Sequence, residues 1–285
     1  MGAAPAGAAP VPDTPVQVVP LRHPGTWAGS VLAVLVASAV AWSVATNPAF
    51  QWPVVARYMF DGQILAGLRR TLELTGAAMA LGLVLGTALA VMRLSANRLL
   101  STLSWMYIWF FRSVPVLVQL IFWYNFGALY ARITVALPWG PVLYSASTNA
   151  VITPLTAALA GLGLAQAAYT AEVIRAGIMS VPRGQTRAAK ALGMGPATIF
   201  VRIVFPQAMR VIIPPVGNEV ISMVKGTSLV SVIAMADLLY TAQLIYARTY
   251  ETIPLLIVAS LWYLIIVSLL SAGQHVLERH YGRGA

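Results

Sequence analysis

Charged residues fall into short clusters along this chain, and between them run apolar stretches long enough to cross a bilayer. Leu74 to Met92, Ser113 to Ala131 and Thr252 to Gln274 carry no charge, and the interval from Ile133 to Ala171 has room for a loop plus a span. About 20 apolar residues suffice to cross the hydrocarbon core. The pattern therefore predicts an all-α, polytopic transmembrane bundle of about six spans, near 27–46, 65–92, 113–131, 153–178, 203–236 and 252–275. In the second, Ala78, Gly82, Gly86 and Ala90 recur every fourth position, which puts them on one helix face where a neighbouring backbone can come close; chance spacing in an Ala-rich chain is the alternative. The fifth is interrupted by Pro206, Pro214 and Pro215 and contains Glu219 and Lys225, the pattern of a broken helix that faces protein or a watery cavity.

Composition narrows the class. Of 285 residues, 59% are hydrophobic and 9% charged, against roughly a quarter charged in soluble domains, so a water-soluble fold is excluded. A net charge of +10 would suggest nucleic acid in a soluble protein, but here the basic residues sit between spans, where they encode topology, and no nucleic-acid partner is expected. There is no cysteine, hence no disulfide framework and no thiolate metal site. Residues 1–22, rich in Ala and Pro, read as a disordered cytoplasmic tail. The apolar run from Trp27 to Ala45 exceeds the usual signal-peptide core, so residues 23–62 read as a retained first span with its outer loop.

With the N-terminus in the cytoplasm, six spans return the C-terminus to the same side. Arg22, Arg93, Arg98, Arg112, Arg175, Arg183, Arg187, Lys190, Arg202, Arg210, Arg279 and Arg283 are then cytoplasmic, and Arg57, Arg69, Arg70, Arg132 and Arg248 lie opposite. This bias favours that orientation in a cell membrane. Arg69 and Arg70 end the second span, where they snorkel or face an outer vestibule.

Between the fourth and fifth spans lies a polar, helix-forming segment, Ser180 to Pro196. At 100° per residue Arg183, Arg187 and Lys190 share one face of a helix, while Ala188, Ala191 and Leu192 fall on the other. Such a helix suits anionic lipid as well as a protein cleft; its small alanines favour the cleft. Gly193 and Gly195 end it and Pro196 starts the next helix.

The string Arg187-Ala-Ala-Lys-Ala-Leu-Gly193, followed by Ile203-Val-Phe-Pro206, resembles the cytoplasmic "EAA" signature of importer permeases of the ATP-binding cassette (ABC) class. Matches surround it at Phe111 to Gln119, Ala168 to Gly177 and Gly217 to Leu229, and together they look like the polar amino-acid branch, the histidine-, glutamine- and glutamate-type permeases. The resemblance implies a transmembrane domain over residues 63–280, followed by a short tail at 281–285. It also implies a permease that forms the translocation path but is no enzyme and binds no cofactor, because ATP with Mg is used by separate ABC ATPase subunits. The further partners implied are a second copy or a homologous permease, an extracytoplasmic amino-acid-binding protein and membrane lipid. Arg183, Arg187, Ala188, Ala189, Lys190, Leu192 and Gly193 would couple to the ATPase. One departure is Arg187, where the family usually has Glu.

Within the membrane, Glu219 and Lys225 cost about 2.5 to 3.5 kcal/mol each on insertion scales. They project about 240° apart, so their partners must come from elsewhere. They either hold helices together or, with Gln119, Asn218, Thr227 and Ser228, line the translocation path or its gate. Glu172 and Arg175 are spaced for a local ion pair. Arg112 reads as a topological anchor. No Gly-x-x-x-x-Gly-Lys-Ser/Thr loop, paired-His zinc motif or Gly-x-Ser-x-Gly elbow occurs, so neither an internal ATPase, a catalytic residue nor a metal site is expected. A self-contained secondary transporter using Glu219 and Glu172 is the competing reading, and a membrane-embedded enzyme has no supporting constellation.

Overall fold

The computed structural model describes residues 24–137 and 140–281. The tail read at residues 1–22, with Arg22 and His23, lies outside the described residues, as do Arg283 and the rest of 282–285. The chain divides into two units between Phe50 and Gln51. The first contains α1 (Pro24–Thr46), apolar around its circumference and mostly exposed, as a helix solvated by lipid would be.

The second unit is the bundle. It opens with α2 (Trp52–Met59), α3 (Gly62–Leu94), α4 (Arg98–Ser113) and α5 (Val116–Tyr124). A two-stranded antiparallel hairpin, β1 (Arg132–Ala136) with β2 (Val142–Ser147), leads through the short α6 (Thr148–Val151) to α7 (Pro154–Met179). The polar α8 (Arg183–Ala191) follows, then α9 (Pro196–Ile199), a π-helical turn at Phe200–Val204, α10 (Phe205–Gly226) and a 3-10 segment at Thr227–Ile233. The chain closes with α11 (Leu238–Thr249) and α12 (Thr252–Tyr281).

Local chemistry sets the element ends. Asp61 caps α3 by accepting from the Gln63 amide, and Asn97 caps α4 at Leu99 and Leu100. Thr153 and Thr156 form a reciprocal capping box ahead of Pro154 at the start of α7. Among the described residues five helices are long and apolar enough to span a membrane, and six if the bent pair α4–α5 is one span.

That pair corrects the expected third span. Instead of running from 113 to 131, the helix begins at Arg98, breaks at Val114–Pro115 with a 99° bend, and ends at Tyr124. Proline disfavours helical backbone at the residue before it, so Val114 is extended and Pro115 starts a new helix. Arg98 and Arg112 had hidden the first half from a hydropathy reading.

The small-residue face of α3 packs where the spacing placed it. Ala78 and Ala90 are fully buried, and α3 makes its most extensive interface with α7. A Cβ on Gly82 would collide with Gln166, and one on Gly86 would come within 2.9 Å of the Ala167 carbonyl. The fifth span is irregular as expected, and its 38 residues run over 196–233 where 203–236 was expected. Its π turn precedes Pro206, and Pro214 and Pro215 each remove one amide donor inside α10.

Basic residues separate to the two ends of the bundle. Arg93, Arg98, Arg175 and Arg279 lie at helix ends on the α8 side; Arg57, Arg69, Arg70 and Arg248 lie on elements at the other. Arg69 and Arg70 both reach Glu73, at 3.4 and 3.8 Å, on an exposed face.

Candidate coupling helix and intramembrane polar cluster

Two different sites emerge, one exposed at an end of the bundle and one buried in its middle. At the first, Val181 and Pro182 turn the chain out of α7 into α8. Ala189 is only 2% exposed and packs with Val181, Ile199 and Met194, so this alanine seats α8 on the bundle. Apart from the half-buried Thr186, the rest of the helix is exposed. Arg183, Arg187 and Lys190 are exposed, as are Ala188 and Ala191, and Leu192 is 82% exposed. No acidic side chain pairs with these cations among the described residues.

The C-terminal turn of α8 is tightly specified. Gly193 adopts φ +77°, the Met194 amide donates to Ala189 O at 3.1 Å, and the Gly193 amide donates to Lys190 O at 3.0 Å. Such a glycine cap reverses the chain within a few residues. It leaves Leu192, a bulky apolar side chain, projecting at the tip of a polar helix.

At the second site Glu219 of α10 finds its partners on α7. Gln166 Nε2 donates to Glu219 Oε2 at 2.7 Å and to Thr170 Oγ1 at 3.0 Å, while the Thr170 hydroxyl donates to the same carboxylate oxygen at 3.0 Å. Gln166 and Thr170 are one turn apart on α7 and buried against Gly82 and Gly86 of α3. The glycines make room for the polar pair, and the pair satisfies the carboxylate that hydrocarbon would not.

The six residues expected to line a path or gate do not converge. Lys225 is exposed, and its carbonyl accepts from Ser228 Oγ. Thr227 is buried and donates to Val224 O. Asn218 leaves Glu219 for the opposite direction, donating to Glu278 of α12 at 3.4 Å beside Gln274, which bridges Glu278 and Pro214 O. Gln119 stitches the α4–α5 bend: its Nε2 donates to Phe111 O at 3.1 Å and Val114 O at 2.9 Å.

Other residues escaped the sequence reading. Gln166 and Thr170 are polar, four apart and inside an apolar span, which is itself a signal. Asp237, fully buried, caps α11 at the Tyr240 amide and accepts from the Tyr263 hydroxyl, while Thr71 accepts from the Leu238 amide. No periodicity points to that cluster, because it joins three elements far apart in sequence. The Glu172–Arg175 pair forms as its spacing predicts, with Nη2–Oε2 at 2.8 Å. Arg112, read as an anchor, lies in the last turn of α4 with its guanidinium 5.5 Å above the Tyr169 ring.

Residues 80–283 match the family described as "Binding-protein-dependent transport system inner membrane component". The chain belongs to this family. Among curated proteins, this permease is 43% identical over 98% of its length to the arginine transport system permease protein ArgU of Corynebacterium glutamicum, 87% of which is covered. It is 34% identical to the L-cystine transport system permease protein TcyB of Bacillus subtilis, over 88% of this chain and 95% of that one. A crystal structure of an amino acid ABC transporter with histidines superposes with a TM-score of 0.65 at 33% identity, covering 76% of this chain and 94% of that one. The permease is therefore a membrane-spanning subunit of an amino-acid ABC importer, a transporter subunit rather than an enzyme, and in such systems the ATPase is a separate subunit.

Proposed function

We propose that this permease admits a basic amino acid, arginine first among them, and that α8 is the lever through which a partner ATPase drives it. The observation carrying the coupling role is the uncovered face of α8, with Leu192 82% exposed next to a glycine-capped turn. The permease supplies the seat through Ala189 and leaves Arg183, Arg187, Ala188, Lys190 and Leu192 to the partner. Since α8 bears three cations that no acidic side chain among the described residues pairs, the receiving groove is acidic where Arg187 stands. Arginine rests on the 43% identity to the arginine permease along nearly the whole chain.

The α8 end then faces the cytoplasm, where ATP and Mg are used by the partner, and this also places the larger share of arginine on the inner side. A second permease copy or homologue completes the path, and an extracytoplasmic binding protein delivers the amino acid. Glu219, Gln166 and Thr170 hold α10 against α7, so that motion of α8 and the helices flanking it is transmitted into the span.

The test uses the permease and its ATPase co-purified and reconstituted in proteoliposomes with the binding protein. Labelled arginine should accumulate only with ATP on the α8 side, and a cysteine at Leu192 should cross-link to the ATPase. Accumulation without ATP, or a cysteine that cross-links only to lipid-soluble reagents, would remove the coupling role. Uptake of another amino acid in place of arginine would revise the substrate alone.

A further inference from the structure

A polar cavity of about 490 Å³ opens between α4 and α7 toward the α8 end of the bundle. Its charged lining is Arg93, Arg112, Arg175 and Glu172, and its aromatic lining includes Trp105, Trp109 and Tyr169. Glu172 is committed: Arg175 Nε approaches its two oxygens at 3.2 and 3.1 Å, and Nη2 one of them at 2.8 Å. Among the described residues that leaves two of the guanidiniums without a carboxylate partner. Arg93 is held by Ser101 Oγ at 2.9 Å, and Arg112 rests over Tyr169. A smaller cavity of about 230 Å³ adjoins, sharing Arg93 and Trp105 and adding the hydroxyl-bearing Ser101 and Thr102.

We propose that these adjoining cavities bind the headgroup of an anionic phospholipid, its phosphodiester groups taken by Arg93 and Arg112. Guanidinium forks match phosphate oxygens in charge and geometry. Depth fits as well: Arg175 lies four residues from the end of α7, about 6 Å at 1.5 Å per residue, and Arg93 is in the last turn of α3. That is the headgroup layer, which adds several ångströms beyond the hydrocarbon on each side. Trp105 and Trp109 stack with centroids 6.3 Å apart and are half-exposed, as belt tryptophans at such an interface are. A zwitterionic amino acid fits less well, because its ammonium would need the carboxylate that Arg175 occupies. Two cations sharing one recess suit a lipid carrying two phosphates, and basic pockets between helices on the inner face are where such lipids bind.

The experiment is native mass spectrometry of the permease–ATPase complex extracted from vesicles of phosphatidylethanolamine containing cardiolipin. Wild type should retain cardiolipin in preference to phosphatidylethanolamine. Arg93→Gln with Arg112→Gln should weaken retention roughly thirtyfold, each basic residue near the surface contributing about fivefold. Arg69→Gln with Arg70→Gln, at the other end, should leave it unchanged, and Arg93→Lys with Arg112→Lys should keep most of it. Equal retention of both lipids by wild type, undiminished retention in the folded glutamine variant, or displacement of the lipid by inorganic phosphate or arginine would each overturn the assignment. The wild-type lipid preference does not depend on any variant folding.

Discussion

The middle of the bundle and α8 use the same small residues to opposite ends. Where α3, α7 and α10 meet, Gly82 and Gly86 admit Gln166 and Thr170, and every donor of that pair has found Glu219 or its neighbour. On α8 Ala189 is buried and Thr186 partly covered, while Ala188, Ala191 and Leu192 are exposed among the described residues. The first arrangement is complete within one polypeptide, so substitutions there register as lost stability. The second is incomplete, so substitutions there should leave the fold alone and register in assembly with another chain. The predictions below test that division.

The largest effect is expected at Gly86. A leucine there must displace Thr170 and the α7 backbone, and overpacking of this kind costs about 3 kcal/mol. Thermal unfolding of the Gly86→Leu permease in detergent should show it as a marked fall in midpoint, whereas the same change at Gly76, with open space around its Cα, should barely register. Equal tolerance at both positions would mean that α3 and α7 are not in close contact.

Next comes Leu192→Arg. If Leu192 is an anchor in the partner's groove, its loss removes about 2 kcal/mol of association, roughly thirtyfold in affinity. Pull-down of the ATPase at graded concentrations measures this, with the unfolding midpoint unchanged. A fall in midpoint with affinity intact would invert the comparison between the two regions.

What could be read beforehand follows the same division. Span number, the small-residue face, the glycine stop at Gly193 and the irregular fifth span are local or periodic properties, and a linear pattern carries them. The α4–α5 span was misplaced because Arg98 and Arg112 interrupt its hydropathy, although Asn97 is a visible cap and Pro115 a visible break. The partners of Glu219 lie some fifty residues away on α7, Asp237 is met by Tyr263 of α12, and the Leu238 amide beside it donates to Thr71 of α3. Such contacts depend on which helices become neighbours. Nor could the pattern tell which partner each of Gln119, Asn218, Lys225, Thr227 and Ser228 would take, since neighbours along a helix point in different directions.

A smaller effect is expected from Thr170→Val, which keeps the shape but removes one donor to Glu219 and one acceptor for Gln166. Gln166 still reaches the carboxylate, so the loss is two hydrogen bonds, together about 1 to 2 kcal/mol. Glu219→Ala should exceed it, because two buried donors then lose their acceptor together. Midpoints for the two variants and the pair in combination measure the coupling, and strict additivity would mean that the three side chains do not act as one cluster.

The smallest effect, at a glycine, separates the seat of α8 from its docking face. At Gly193, φ is +77° with nothing near the missing Cβ, so the cost of Gly193→Ala is backbone strain alone, about 1 kcal/mol. Asn, which tolerates left-handed backbone, should restore part of it. Gly184 lies on the same helix, also with open space, but in ordinary helical backbone. There alanine should raise helix stability by up to about 1 kcal/mol. Because both sites lie in or beside α8, each change alters how firmly the helix is held without altering Leu192. ATPase affinity should therefore fall with Gly193→Ala, recover with Gly193→Asn and hold or rise with Gly184→Ala. If affinity instead fell equally for both alanine variants, the partner would be touching the glycines themselves, and α8 would dock along its length rather than through its tip.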